Sequence, residues 1–157
     1  MTTYTRVLIF LLRISLGWLF FYAGWSKVIT YFTTAKDWTA AGFLNGLQGP
    51  FAPFFASMSG NVLIDYLNAY GLLLVGTTII LGVLVRFSAF WGIVIMTFYF
   101  LAGFPPERAF LVDEHIIYAL VFAFLAAVGS GRVWGIDGVI EKTEAIKNNS
   151  WALKFLG

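Results

Sequence analysis

The sequence predicts an all-α integral membrane protein, built as a four-helix bundle with an aromatic outer loop between its first and second helices. Composition is the first reason: 60% of the 157 residues are hydrophobic and only 11% are charged, whereas charged residues make up about 25% of a soluble domain. The second reason is that apolar segments of membrane-spanning length recur, since about 20 helical residues cross the hydrocarbon layer. An arginine inside the first segment, Arg13, is the third, because membrane bundles use such charges.

Apolar runs bounded by charge, glycine or proline mark four predicted spans in a single transmembrane domain covering residues 1–157. The spans are residues 6–28, 62–85, 87–104 and 110–128. The short turn around Arg86 predicts a tight hairpin between the second and third spans. Pro105-Pro106 ends the third span because proline lacks a backbone donor. The first span lacks a small-residue cleavage site, so we expect it to be retained.

The connection between the first two spans is strongly aromatic, which is not typical of a flexible linker. Residues 38–47 are compatible with a short helix in the membrane interface, where aromatic rings favour the head-group level, and Gly49-Pro50 would end it. The tail from Asp137 to Gly157 mixes apolar and charged residues. That pattern predicts an amphipathic surface helix.

The distribution of basic residues predicts the orientation. Four spans place both termini on one side of the bilayer, and that side carries most of the lysines and arginines outside the spans: Arg6, Arg86, Arg132, Lys142, Lys147 and Lys154. The opposite side carries Lys27, Lys36 and Arg108. The positive-inside rule therefore predicts a multi-pass protein of the cell membrane with both termini in the cytoplasm.

Polar residues cluster at the outer end of the predicted bundle. They are Lys27, Asp65, Asn68, Glu107, Arg108, Asp113, Glu114 and His115. An unpaired buried charge is costly, so we expect Lys27 to find a carboxylate partner, with Asp65 and Glu114 as candidates by depth. The alternative is that these side chains only anchor the helix ends by reaching the head groups.

Arg13 belongs to a stripe on the first helix. Residues of that stripe recur every seven positions: Arg6, Arg13, Phe20 and Lys27. Gly17 and Gly24 lie beside it and permit close helix contact. We therefore expect Arg13 to point into the bundle as a structural intramembrane charge, with a catalytic role as the alternative.

Composition also excludes several kinds of chemistry. The chain has no cysteine and one histidine, which removes disulfides, thiolate nucleophiles and two-histidine haem or zinc sites within one chain. We therefore expect no metal or haem bound by this chain alone. The net charge of +2, spread along the chain, does not indicate a nucleic-acid partner.

Several segments resemble one membrane protein family. Residues 12–27 resemble the first helix of the DoxX/DoxD family, and residues 70–76 and 81–89 resemble its second helix and arginine turn. Asp113-Glu114-His115 and residues 129–137 also fit. The long aromatic loop and the Pro105–Arg108 segment are more similar to the DoxD branch.

The resemblance implies a function. The DoxD branch is the membrane subunit of thiosulfate:quinone oxidoreductase, which pairs with a DoxA subunit, oxidises thiosulfate to tetrathionate and passes electrons to quinone. The implied partners are the lipid bilayer, quinone, and a DoxA-like subunit or a larger respiratory complex. The alternative is a non-catalytic membrane scaffold or docking subunit, and a small transporter is a third interpretation.

In the oxidoreductase interpretation each outer residue has a role. Lys27 and Arg108 attract an anionic substrate. His115 handles quinone protons together with Asp65 or Glu114, because histidine is the side chain whose charge changes near neutral pH. Tyr118 and Phe122 lie on the following turns of the same helix, where a quinone ring could stack. The alternative for His115 is an anchor at the start of the helix.

Overall fold

The computed structural model describes residues 1–33, 36–106, 111–144, 146–149 and 151–157. All regular structure within these residues is helical, which confirms the predicted all-α class. The helices are α1 Thr3–Val28, α2 Thr30–Thr33, α3 Ala41–Gly46, α4 Ala52–Ala56, α5 Val62–Leu81, α6 Val85–Ala102, α7 Glu114–Ala127 and α8 Asp137–Ile140. Two short 3₁₀ turns flank α8, at Ser130–Arg132 before it and at Ala152–Lys154 after it.

Three helical segments are long and apolar enough to cross a membrane: Thr3–Thr33, Val62–Leu81 and Val85–Ala102. The fourth predicted span corresponds to α7, which is apolar but has only 14 residues. At 1.5 Å per residue it is about 21 Å long. It starts at Glu114 because the Asp113 carboxylate caps it, accepting from the backbone N–H groups of His115 and Ile116. The predicted start at residue 110 lies outside the described residues.

The predicted hairpin forms between α5 and α6. Gly82 ends α5 in the left-handed conformation with φ 65°, and Leu84 precedes α6 with φ 51°. The second span therefore ends at Leu81, short of the predicted Val85, because two left-handed residues turn the chain within one short connection.

Glycines set the closest helix contact, which joins α1 to α5. A Cβ on Gly24 would overlap the backbone of Leu73, and a Cβ on Gly76 would overlap the backbone of Phe21. The two backbones therefore touch, as small residues allow in membrane bundles. On the other side of the core, the Phe122 ring of α7 packs directly on Gly92 of α6.

The aromatic connection forms an ordered cap over the end of the bundle that lies opposite the chain termini. We call this the outer end, and the end that holds both termini the inner end. Its residues Ala40, Leu44 and Phe55 pack on Ala102 at the end of α6, in a small core of their own. The short interfacial helix predicted over residues 38–47 corresponds to α3, which ends at Gly46. We call residues 38–58 the outer cap.

The tail does not form the predicted continuous amphipathic helix. Its described residues contain only the four-residue α8 and a 3₁₀ turn, because the Asn149 side chain accepts from the N–H groups of Trp151 and Ala152 and turns the chain. The chain then folds back, and the N–H of Gly131 donates to the carbonyl of Gly157 at 2.7 Å. Both ends of the chain lie at the same end of the bundle, since Met1 lines a groove beside Arg132.

Candidate functional site

A buried charge, Arg13, closes the inner end of the bundle. Arg13 is 0% exposed. Its guanidinium donates to the carbonyl oxygens of Ser130, of Val133 at 3.0 Å and of Trp134 at 3.3 Å. All three carbonyls belong to the turn that follows α7, so Arg13 ties α1 to this turn.

Asp137 completes this arrangement. Its buried carboxylate accepts from the N–H groups of Leu84 at 2.8 Å, Val85 at 3.0 Å and Gly157 at 2.9 Å. Asp137 thereby holds the start of α6, and its negative charge attracts Arg13. We call Arg13, Asp137 and the backbone groups that they bind the inner node.

The inner node lies where the spans end, not in the middle of the bilayer. A Cβ on Gly82, the residue that ends α5, would stand 2.8 Å from Nη1 of Arg13. Arg13 therefore shares its depth with the end of α5 and the start of α6. This position lowers the cost of the charge, because the loops around it supply carbonyl oxygens that hydrocarbon cannot.

A cavity of about 130 Å³ lies at the other end, between α1, α5, α6 and α7. We call it the outer cavity. Its lining residues are Leu19, Phe20, Ala23, Lys27, Leu72, Met96, Tyr99, His115 and Tyr118. The structure thus brings together three of the predicted site residues, Lys27, His115 and Tyr118.

Lys27 does not have the expected carboxylate partner. Its Nζ donates to the carbonyl of Ala23 at 3.0 Å and lies 5.1 Å from the ring centroid of Trp38, in the outer cap. Among the residues that the structure describes, Lys27 makes no ion pair with Asp65 or Glu114. An ammonium has three donors, so Lys27 retains hydrogen-bonding capacity toward the cavity.

The sequence predicts roles for Asp65 and Glu114 at a quinone, but the structure places both outside the lining of the outer cavity. Asp65 is buried beneath the outer cap, where it accepts from the N–H of Ala40 at 2.8 Å. Glu114 is exposed on the first turn of α7. Neither lines the cavity, because equal depth does not imply the same helix face. Arg108, like Glu107, lies outside the described residues.

The partner of His115 is Asp113. Nδ1 of the imidazole lies 2.7 Å from Oδ2 of Asp113. A carboxylate only accepts, so Nδ1 carries the hydrogen and Nε2 is left as the reactive nitrogen. Burial raises the pKa of Asp113, but hydrogen bonds from the His115 ring and the Ile116 N–H outweigh burial and leave this pKa below its ordinary value. The sequence Asp113-Glu114-His115 already indicated this partner, because Asp113 lies only two residues before His115.

Tyr99 is a cavity residue that the sequence did not reveal. Its hydroxyl oxygen accepts from Nδ2 of Asn68 at 2.6 Å, and its ring stands edge-on to His115 with centroids 5.6 Å apart. The Tyr99 hydroxyl hydrogen therefore remains for an acceptor in the cavity. The chain has seven tyrosines, and no pattern distinguished this one.

Phe122 is a core residue and not a cavity wall. It is 0% exposed, and its ring packs edge-on against Phe20 with centroids 4.9 Å apart. Close packing between α1, α6 and α7 covers the ring of Phe122, so it offers no open face for the stacking on a quinone that the sequence predicts. Tyr118, one turn earlier, does line the cavity.

Comparison with models of known protein families identifies the family of this chain. A family model described as DoxX matches residues 8–104, which is more than half of the chain and runs from α1 to the end of α6. Searches of curated proteins and of solved structures gave no match. The matched region contains Arg13, Lys27 and Tyr99. The chain therefore belongs to the DoxX family of multi-pass membrane proteins.

Proposed function

We propose that the chain is the quinone-reactive membrane subunit of an oxidoreductase, and that the outer cavity receives the quinone ring. One observation carries the proposal: Lys27, Tyr99, His115 and Tyr118 line a single cavity near one end of the helical bundle. Lys27 stands about 21 Å along α1 from Arg13, at 1.5 Å per residue. Ionisable groups placed within a span mark functional sites by default, because they are costly there.

The size of the cavity fits a head group. Pockets for drug-sized ligands measure about 300–1,000 Å³, so a cavity of about 130 Å³ suits one ring and excludes a long tail. Leu19 lines the cavity and is 44% exposed on the outer surface of the bundle. An isoprenoid tail would leave past Leu19 into the lipid.

The polar wall suits reduction of a quinone, which requires two electrons and two protons. The Lys27 ammonium and the Tyr99 hydroxyl would donate to ring oxygens as negative charge develops on them. His115 would deliver a proton from Nε2, and Asp113 would orient the imidazole and stabilise its charged form. In this scheme Asp113 takes the place that the sequence suggested for Asp65 or Glu114.

We propose thiosulfate as the electron donor. Two thiosulfate ions lose one electron each and join through a new S–S bond, which supplies the two electrons that one quinone takes up. The support is the similarity of the aromatic connection and of residues 105–108 to the DoxD branch, together with the outer cations Lys27 and Arg108. A DoxA-like subunit or a larger respiratory complex would be the partner, and the distribution of basic residues favours an orientation with both termini in the cytoplasm.

The quinone proposal is tested by extracting the purified protein with organic solvent and measuring bound quinone per chain. We expect quinone with the wild type and about tenfold less with Lys27→Met. Lys142→Met is the matched control, because Lys142 is exposed at the opposite end, and it should retain the wild-type amount. A wild type that neither carries nor takes up quinone would favour the scaffold alternative.

Thiosulfate needs a separate assay, the reduction of a soluble quinone analogue by membranes that contain the chain. We expect the rate to depend on thiosulfate and to fall in Lys27→Met. Bound quinone without thiosulfate-dependent reduction would overturn thiosulfate as the donor and leave quinone binding intact.

A further inference from the structure

A second cavity, of about 280 Å³, lies at the inner end of the bundle, between the first turns of α1 and the segment after α7. We call it the inner groove. Its lining residues are Met1, Arg6, Val128, Gly129, Arg132, Val133 and Trp134. Both charged side chains in this lining are arginines, so the groove is cationic with apolar walls.

Arg132 is held in a fixed orientation. Its Nε lies 2.7 Å from Oε2 of Glu141, and its Nη2 lies 2.8 Å from Oε1. Nη1 lies across Gly129, where a Cβ would stand 2.7 Å away and where the backbone is left-handed with φ 64°. One edge of the guanidinium is therefore occupied by Glu141, and the Nη1 edge lies along the groove floor.

Arg6 is uncommitted. Its side chain is exposed and, within the described part of the chain, makes no hydrogen bond or ion pair. It stands two helical turns beyond Arg13, about 10 Å along the axis. Because Arg13 marks the depth at which α5 ends, Arg6 lies at head-group depth.

Trp134 supplies the apolar wall. Its side chain is 59% exposed, its backbone has φ 52°, and its ring stands edge-on to Phe10 with centroids 5.4 Å apart. Indole rings favour the level of the lipid head groups. The groove therefore combines two cations with an interfacial aromatic ring.

We propose that the inner groove binds the phosphate of an anionic lipid head group, with Arg6 as the main contact and Arg132 as a fixed second cation. Guanidinium groups match phosphate oxygens in pairs of hydrogen bonds, and the volume also admits the atoms next to the phosphate. Inorganic phosphate has the same chemistry, so the test must separate the two sources. This inference is independent of the outer cavity.

The experiment measures binding to the full chain in a neutral detergent by titration with short-chain phosphatidylglycerol, short-chain phosphatidylcholine or inorganic phosphate. We expect saturable binding of phosphatidylglycerol, and none of the other two at the same concentrations. Arg6→Gln should weaken phosphatidylglycerol binding about tenfold, the effect of losing one charged hydrogen bond. Arg6→Gln should fold normally, since Arg6 holds nothing in place.

Lys142→Gln is the matched control, because Lys142 is an exposed cation in the tail that does not line the groove. It should bind phosphatidylglycerol like the wild type. Equal weakening in Lys142→Gln and Arg6→Gln, or unchanged binding in Arg6→Gln, would overturn the site. Binding of inorganic phosphate as tight as that of the lipid would overturn the lipid as its source.

Discussion

The inner node and the outer cavity each contain a cation from the same stripe of α1, but the two cations differ in their burial and in the number of hydrogen bonds that they make to the chain. Arg13 is fully buried and donates to three loop carbonyls, with Asp137 as its counter-charge. Lys27 is half-buried and has one carbonyl and the face of Trp38. A cation whose hydrogen bonds go mainly to its own chain, such as Arg13, holds the fold together. A cation that lines a cavity and has unused N–H donors, such as Lys27, is suited to binding a ligand.

The largest effect should come from Arg13→Ala. The substitution removes the Arg13 donors from three carbonyl oxygens, of which, among the residues described, only that of Ser130 also accepts from a backbone N–H, that of Val133. A buried polar group left without a partner costs about 1–3 kcal/mol. We expect a steep loss of folded protein, measured as monodisperse yield and thermal unfolding in detergent. Lys27→Ala should keep a near-normal yield. A normal yield of Arg13→Ala with abolished quinone binding would reverse the comparison.

Gly76→Ala should have the second-largest effect on stability. It would disturb the close contact between α1 and α5, which holds both cations toward the bundle. The new Cβ would meet the backbone of Phe21, and overpacking typically costs about 1–3 kcal/mol. Gly46→Ala in α3 is the matched control because no atom lies within 4 Å of its Cβ position. Equal melting temperatures for the two variants would show that α1 and α5 tolerate separation.

The proposed proton transfer is tested with His115→Gln. Glutamine keeps a hydrogen-bonding group but cannot carry a proton at neutral pH, so the rate of quinone reduction should fall by about 100-fold. The measurement is the rate of electron transfer to a soluble quinone analogue. An unchanged rate in the variant would leave His115 only an anchoring role.

Asp113→Asn should have the smallest effect, and one that depends on pH. The pKa of Asp113 is lowered in the folded protein, so its carboxylate stabilises the fold above the ordinary value of about 3.9 and loses this contribution as the pH falls through the lowered value. Asparagine still caps a helix. Thermal unfolding should therefore show a small deficit at neutral pH that closes on acidification, and a deficit constant with pH would contradict the ion pair.

Apolar length and periodicity were sufficient to predict the all-α class, the four apolar helices and the burial of Arg13 on α1. These properties follow from local sequence. The partners of the charges were not predictable, because depth along a helix does not give its rotation. Asp65 shares the outer end with Lys27, but its face of α5 meets the outer cap at Ala40.

The tail and Tyr99 show a second limit of prediction from the sequence. The residues after Asp137 have an amphipathic pattern, but tertiary contacts at the inner node and the Asn149 turn prevent a long helix. Tyr99 becomes a site residue only through Asn68 and His115, on two other helices. Neither outcome is encoded in a local pattern.

Photolabelling with an azido-quinone in membranes, followed by peptide mapping, distinguishes a ligand site in the outer cavity from one at the inner node. If the outer cavity receives the quinone and the inner node only holds the fold, the labels should lie on the cavity walls, at residues 19–27 of α1, 96–99 of α6 and 115–118 of α7. Labels confined to residues around Arg13 and Asp137, or labelling that excess unmodified quinone fails to suppress, would contradict this assignment.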